Sequence, residues 1–191
     1  EQTQQFDEIV DEDGYPCDDV QLLSSWVINT LTEVLNQHIF DIKAVNFSTY
    51  GASFVHINEA GKVVTPLYNY LKPFPENLKE QFYTTYGGEL KISVETASPV
   101  LGNLNSAMQL YWLKWNKPQV FNQINCSLHL PQYISYLITG NVCADITSIG
   151  CHTQLWNFQS NTYHSWLAAE NILQKLPSLQ PSNQAKEVVF N

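Results

Sequence analysis

Cations are scarce in this chain. Nine basic residues face 18 acidic ones in 191, and the basic ones are scattered rather than clustered. A nucleic-acid-binding surface needs grouped Lys and Arg to meet phosphates, so that function class is excluded. No apolar run is long enough to cross a bilayer as a helix, which argues against a membrane protein. Cys17, Cys126, Cys143 and Cys151 have no CxxC spacing and form no dense framework. They read as free, buried thiols in a reducing compartment, hence a cytoplasmic protein, rather than as a metal site. Neither phosphate-binding glycine pattern, GxGxxG or GxxxxGKS/T, occurs anywhere. There is no internal repeat and no sign of a second domain.

What is present describes one globular domain. The apolar fraction is 44% and the aromatic fraction 13%, enough for a sizeable core. The formal charge of -9 mainly confers solubility. Asp11-Glu12-Asp13-Gly14 resembles part of a calcium loop but lacks the bidentate Glu at its required spacing, so a solvated turn is expected. Asp18-Asp19 cap a helix whose apolar residues Leu22, Leu23, Trp26, Val27, Leu31, Val34 and Leu35 recur at helical spacing. The chain is organised around Lys43–Asn58. Ala44–Phe47 has the character of a buried strand and Phe54–Ile57 of a second. Between them lies Ser48-Thr49-Tyr50-Gly51-Ala52-Ser53, small and hydroxylated around one aromatic and one glycine. Gly51 has no Cβ to block a ligand from the backbone. From the residues alone, the favoured reading is a tight structural loop whose hydroxyls satisfy backbone groups.

Further along, Pro66 and Pro73 bracket a polar–aromatic segment that presents Asn69, Tyr70 and Lys72, or else packs Tyr68 and Tyr70 as anchors. Pro75–Tyr86 reads as a helix closed by Gly87-Gly88. Residues 95–105 read as a loop, and Ser106–Trp115 as a helix ended near Pro118. Asn125–Leu130 reads as a strand, and Pro131 opens a helix stopped by Thr139-Gly140. Asp145-Ile146-Thr147-Ser148 is ordinary N-cap chemistry. Trp166–Leu176 reads as a last amphipathic helix. The chain has no initiator Met and ends in strand-like Glu187–Asn191, so both ends look cut from something longer.

Three stretches together resemble the N-terminal, sugar-binding domain of FGGY-type carbohydrate kinases. Ser48–Val55 is similar to the substrate loop written DTWGVDFV in rhamnulokinases. Asn105–Leu113 with Asn116-Lys117-Pro118 resembles the family helix S-x-x-K-L-x-W-L-x-x-N-x-P. Leu130–Gly140, followed by Asp145–Ser148 and Thr153-Gln154-Leu155, resembles LPDYLSYRLTG with its downstream Asp motif. In order and spacing they cover roughly Asp18 to Leu176.

The resemblance implies an α/β, ribonuclease H-like (actin-like ATPase) domain, a mixed β-sheet flanked by helices. It implies a sugar bound in a cleft against a second domain that holds ATP with Mg2+, and transfer of the γ-phosphoryl group to a hydroxyl of a sugar or polyol. Gly51 matches the loop glycine that contacts the sugar; Thr49, Tyr50 and Ser53 are its neighbours. Lys72 falls where many members carry an Arg that helps hold the sugar. The expected substrate-binding set is therefore Thr49, Tyr50, Gly51, Ser53 and Lys72. The departures leave the sugar open. Ser48 and Ser53 stand where rhamnulokinases have Asp, Tyr50 where they have Trp, and Asn69-Tyr70 replaces a common Arg-Asp pair. The family's catalytic Asp is expected beyond Asn191, and its Asp-x-Gly-Thr-like first strand ahead of Glu1. The fragment alone is thus expected to be inactive, a small-molecule binder that engages neither nucleic acid nor membrane, with a homodimer among its expected assemblies. Two rivals remain at this point: a non-catalytic sugar-binding or regulatory module of the same fold, and another actin-like ATPase.

Overall fold

The structure, a computed structural model, describes residues 1–188. The chain opens with a short hairpin, β1 (Ile9–Val10) and β2 (Pro16–Asp18), closed by the turn through Asp11–Gly14. Helix α1 (Val20–Asn36) follows, capped by Asp19, whose carboxylate accepts from the Gln21 and Leu22 N–H groups at 2.9 and 3.0 Å. Then come β3 (Phe54–Ile57) and β4 (Leu67–Tyr68). Helix α2 (Glu76–Tyr86) ends at Gly87, whose φ of 97° suits a left-handed cap, and α3 (Glu89–Thr96) starts at once. A 3-10 turn (Gly102–Leu104) leads into α4 (Ser106–Asn116), and Pro118 opens α5 (Pro118–Gln123). The second half runs β5 (Cys126–His129), α6 (Leu130–Thr139), β6 (Cys143–Ala144) and α7 (Ile146–Ile149). It closes with β7 (Trp156–Asn157), β8 (Thr162–Tyr163), α8 (Ser165–Ala169), a 3-10 turn (Leu173–Lys175) and β9 (Ser178–Leu179).

The expected α/β class is observed, but among the described residues the strands form four small sheets rather than one mixed sheet. β1, β2 and β4 make one antiparallel sheet, β3 pairs antiparallel with β5, β6 pairs parallel with β9, and β7 pairs antiparallel with β8. The β3–β5 ladder is the centre of the molecule. Its register sets Phe54 opposite His129 and His56 opposite Ser127. All four residues of each strand are buried, because the ladder is covered on both faces. Phe54 packs into a core built with Phe82, Ile92, Tyr111, Trp166 and α4. Val55 and Ile57 pack into a second core with Val20, Leu67, Leu130, Tyr133 and Ile134 from α1, β4 and α6. Helix α4 is buried all round from Ser106 to Leu113, so it reads as a core helix rather than a surface one.

Several expectations are corrected. Ala44–Phe47 is not a strand: residues 41–50 carry no regular structure, and Val45 is 47% exposed. Strand-forming side chains do not make a strand without a neighbour to complete the ladder. Residues 166–176 do not form one helix. α8 stops at Ala169, Asn171 turns left-handed at φ 54°, and the chain resumes as a 3-10 turn. Glu95 and Thr96 belong to α3 rather than to a loop. Of the four thiols, Cys17 and Cys126 are buried, Cys143 is half-buried and Cys151 is exposed. Glu187 and Val188 are irregular, and the rest of the expected terminal strand, residues 189–191, lies outside the described residues. Among the described residues no helix is long and apolar enough to cross a membrane.

Candidate functional site

The loop ahead of β3 is pinned at its far end and open in its middle. Ser53 is fully buried, and its hydroxyl donates to the Tyr68 carbonyl at 2.8 Å. Gln109, buried in α4, donates through Nε2 to the carbonyls of Ala52 at 2.6 Å and Asn103 at 3.0 Å. The Leu130 N–H reaches the Ser53 carbonyl at 3.2 Å. Three elements thus fix residues 52–53, a polar net that satisfies otherwise buried backbone groups.

Gly51, by contrast, is exposed, and a Cβ built there meets nothing within 4 Å. Its φ is not left-handed, so the backbone does not demand glycine. Tyr50 is 37% exposed beside it, and its ring lies 5.7 Å from that of Tyr70. The Tyr50 phenol donates to Asp18 Oδ2 at 2.5 Å. Burial, and then that bond to a carboxylate, push the phenol well above its ordinary pKa, so it keeps its proton. Thr49 is half-buried and donates locally to the Tyr50 carbonyl at 2.9 Å. The structure therefore brings Thr49, Tyr50 and Gly51 to one surface, with Ser53 beneath it.

Lys72 is placed differently. Its ammonium is buried and paired with Asp11 Oδ2 at 2.5 Å and Asp13 Oδ2 at 2.7 Å. It also lies 4.5 Å from the ring centroid of Trp112, 5.0 Å from that of Tyr68 and 5.2 Å from that of Tyr15. Its polar contacts lie with the β1–β2 hairpin and not with residues 48–53. Lys117 completes the cluster, reaching Glu12 at 2.6 Å and Asp13 at 3.0 Å. The turn at Asp11–Gly14 is thus no solvated turn: Asp11 is buried, and its Oδ1 accepts from the Asp13 and Tyr15 N–H groups. Burial would raise the Asp11 carboxyl, but Lys72 and those two N–H groups outweigh it and hold it low. The chain contains no arginine, so lysine alone supplies the fixed cations here.

Two histidines sit on the ladder beside the loop. His56 Nδ1 meets Ser127 Oγ and His129 Nε2 meets Ser106 Oγ, each at 2.8 Å. Their other ring nitrogens have no partner among the described residues, and Phe54 stacks on His129 at 4.1 Å. Burial pushes both down to about 3, so both are neutral near pH 7. Sealed in the core, neither reaches a ligand. Asp145 has the structural part expected of it, accepting from the Thr147 and Ser148 N–H groups at the start of α7. Sequence reasoning missed Asp18, Gln109 and the Asp11–Lys72 pair. The acidic DEDG turn was the one signal for the last, and nothing local marked the others.

Two open clefts lie elsewhere, of about 520 and 440 Å3. One is lined by Glu76, Lys79, Tyr83 and Glu89, the other by Asn58, Asn122, Asn125 and Lys175. Among the described residues no group of three or more His, Cys, Asp or Glu is set to hold a metal ion.

Comparison with known proteins places the chain in a family. The N-terminal domain of the FGGY family of carbohydrate kinases matches residues 1–189. A rhamnulokinase of Mannheimia succiniciproducens is 24% identical over 160 residues, covering 84% of this chain and 32% of the relative. A rhamnulokinase of Halalkalibacterium halodurans is 27% identical over 150 residues, covering 78% and 31%. The chain spans about a third of the length of these curated relatives. Among solved structures, a gluconate kinase from Lactobacillus acidophilus superposes with a TM-score of 0.77 at 20% identity, over 93% of this chain and 36% of that one. A Plasmodium falciparum glycerol kinase with ADP gives 0.74 at 18% identity, over 91% and 37%. The structural likenesses bear out the ribonuclease H-like α/β fold expected from the three sequence stretches. On the match from residue 1 to residue 189, this chain belongs to the FGGY family of carbohydrate kinases.

Proposed function

We propose that this chain is the sugar-binding part of an ATP-dependent carbohydrate kinase that transfers a phosphoryl group to a hydroxyl of a sugar or polyol. The observation that carries the reading is the open surface at Gly51. An exposed glycine with empty space where its Cβ would point, and no backbone need for glycine, stands beside an exposed tyrosine whose hydroxyl is already held. That is the arrangement by which a sugar reaches a backbone while its C–H face lies on an aromatic ring. The family membership supplies the reaction class.

In this reading Gly51 admits the sugar, Tyr50 stacks on it and Thr49 meets a hydroxyl. Ser53 and Lys72 belong to the same site as its supports. Ser53 fixes the loop to β4, and Lys72 fixes the hairpin that carries Asp18. Pre-set walls of this kind reduce the ordering cost of binding. ATP and Mg2+ belong to the proposed reaction, but no residue of this chain is singled out to hold them. The sequence has no glycine-rich phosphate loop, and no metal-holding cluster is present among the described residues. The proton acceptor and the nucleotide site are therefore not assigned to this chain.

The test is direct binding. The chain should bind a ketose or polyol such as L-rhamnulose, L-fuculose or glycerol, seen by calorimetry or saturation-transfer NMR. Gly51→Val should abolish that binding. Undiminished binding by the valine variant would remove this loop as the sugar site.

A further inference from the structure

The loop Ser48–Ser53 has no acidic or basic side chain of its own. The ammonium of Lys72 is taken up by Asp11 and Asp13. The charged group that does reach the loop comes from another element: Asp18, at the end of β2, accepts the Tyr50 hydroxyl at 2.5 Å through Oδ2. Asp18 is half-buried, and its Oδ1 has no polar partner among the described residues. The carboxylate is also rigidly mounted. Its backbone pairs with Leu67 in β4, and its neighbour Asp19 caps α1.

The donor and acceptor count decides what such a surface can read. Tyr50 spends its proton on Asp18, and Thr49 spends its own on the Tyr50 carbonyl. Toward a ligand, both side-chain oxygens offer lone pairs only and the Asp18 carboxylate is an acceptor throughout; Ser48 and Tyr70 add neutral hydroxyls that can donate or accept, so the one charge at this surface is negative. Three side-chain acceptors with one negative charge suit a ligand rich in hydroxyl donors, where bonds to the carboxylate are charge-assisted. A sugar acid's carboxylate brings no proton to donate and carries the same charge, which costs affinity. Resting on the sugar-site reading above, we propose that Asp18 is a specificity-determining residue of this site, selecting neutral polyhydroxy ketoses and polyols against sugar acids.

The test titrates the full chain with L-rhamnulose, L-fuculose, D-xylulose, glycerol and gluconate. At least one neutral compound is expected to bind, with gluconate weaker by about ten-fold or more. Asp18→Asn keeps the shape and an acceptor for Tyr50. It is expected to weaken the neutral ligand about ten-fold and to shrink the gap to gluconate, with an unchanged melting temperature. If the Asn variant folds poorly, Asp18→Ser is read in its place. Gluconate binding to the wild type as tightly as the neutral compounds overturns the proposal without any variant. So does an Asp18→Asn chain that binds and discriminates like wild type while Gly51→Val abolishes binding; that pair of results leaves the loop as the sugar site and removes Asp18 from it. If no neutral compound binds the wild type, or if Gly51→Val binds normally, the sugar-site reading fails first and the role of Asp18 with it.

Discussion

The side-chain amide of Gln109 donates to the carbonyl of Ala52, 57 residues earlier in the chain, at 2.6 Å. It ties the core helix α4 to the last turn of the open loop, and a second bond from the same nitrogen holds the Asn103 carbonyl. Gln109→Leu leaves the buried Asn103 carbonyl and the part-buried Ala52 carbonyl unpaired. Each orphaned group costs about 1–3 kcal/mol. Urea unfolding is expected to show a loss of that order, together with weaker sugar binding. A Leu variant as stable as wild type would mean that water replaces the amide.

Gly51→Val should separate binding from stability. Its φ is not left-handed and its Cβ direction is empty, so the valine variant is expected to melt within about 0.5 kcal/mol of wild type. A large drop in melting temperature would mean that the loop packs more tightly than this geometry shows.

Lys72→Met removes a buried cation and strands Asp11, whose side chain is fully enclosed. Breaking such a pair from one side costs about 3–5 kcal/mol. Adding Asp11→Asn should recover part of the loss, because the uncompensated charge is then gone. The pH dependence follows from the sign. The folded-state carboxyl of Asp11 lies below its ordinary value of 3.8, so its contribution is present above that value and fades as pH falls through it. Melts in which Lys72→Met costs nothing near neutral pH would contradict the pairing.

The two core histidines set a second acid response. Both are held at about 3 against an ordinary value of 6.5. Unfolded, they bind protons below 6.5; folded, they do not until about 3. Stability should therefore be full above 6.5 and fall as pH drops from 6.5 towards 3, by up to about 1.4 kcal/mol per pH unit for each histidine. His56→Gln should reduce that slope by the share of one histidine. A flat stability profile across this window would show that these rings are protonated in the fold.

What the sequence disclosed follows from how local each signal is. The Asp19 cap, the Gly87 stop, the Pro131 start and the Asp145 cap are each decided within a few residues, and each was legible. The strand at 44–47 was misread because a strand is a relation between two segments, and propensity describes only one. α3 escaped notice because Gly87-Gly88 marks an end so clearly that a helix resuming at Glu89 leaves little trace. In the site, Gly51 and Tyr50 stood out by residue type. Lys72 also did, but its partner Asp11 lies 61 residues away, and no spacing rule spans that distance. Ser53 could be read as a hydroxyl in a loop, not as one turned inward to Tyr68.

The ladder of β3 and β5 stands between two separate cores, so Phe54 and Val55 share a peptide bond but not an environment. A change of volume at Phe54 has to be absorbed by α2 and α4, and one at Val55 by α1 and α6. Over evolutionary time, then, these adjacent positions are expected to drift with different companions. Compensating substitutions for each should be sought on opposite sides of the molecule, and each core is free to be rebuilt while the other stays as it is.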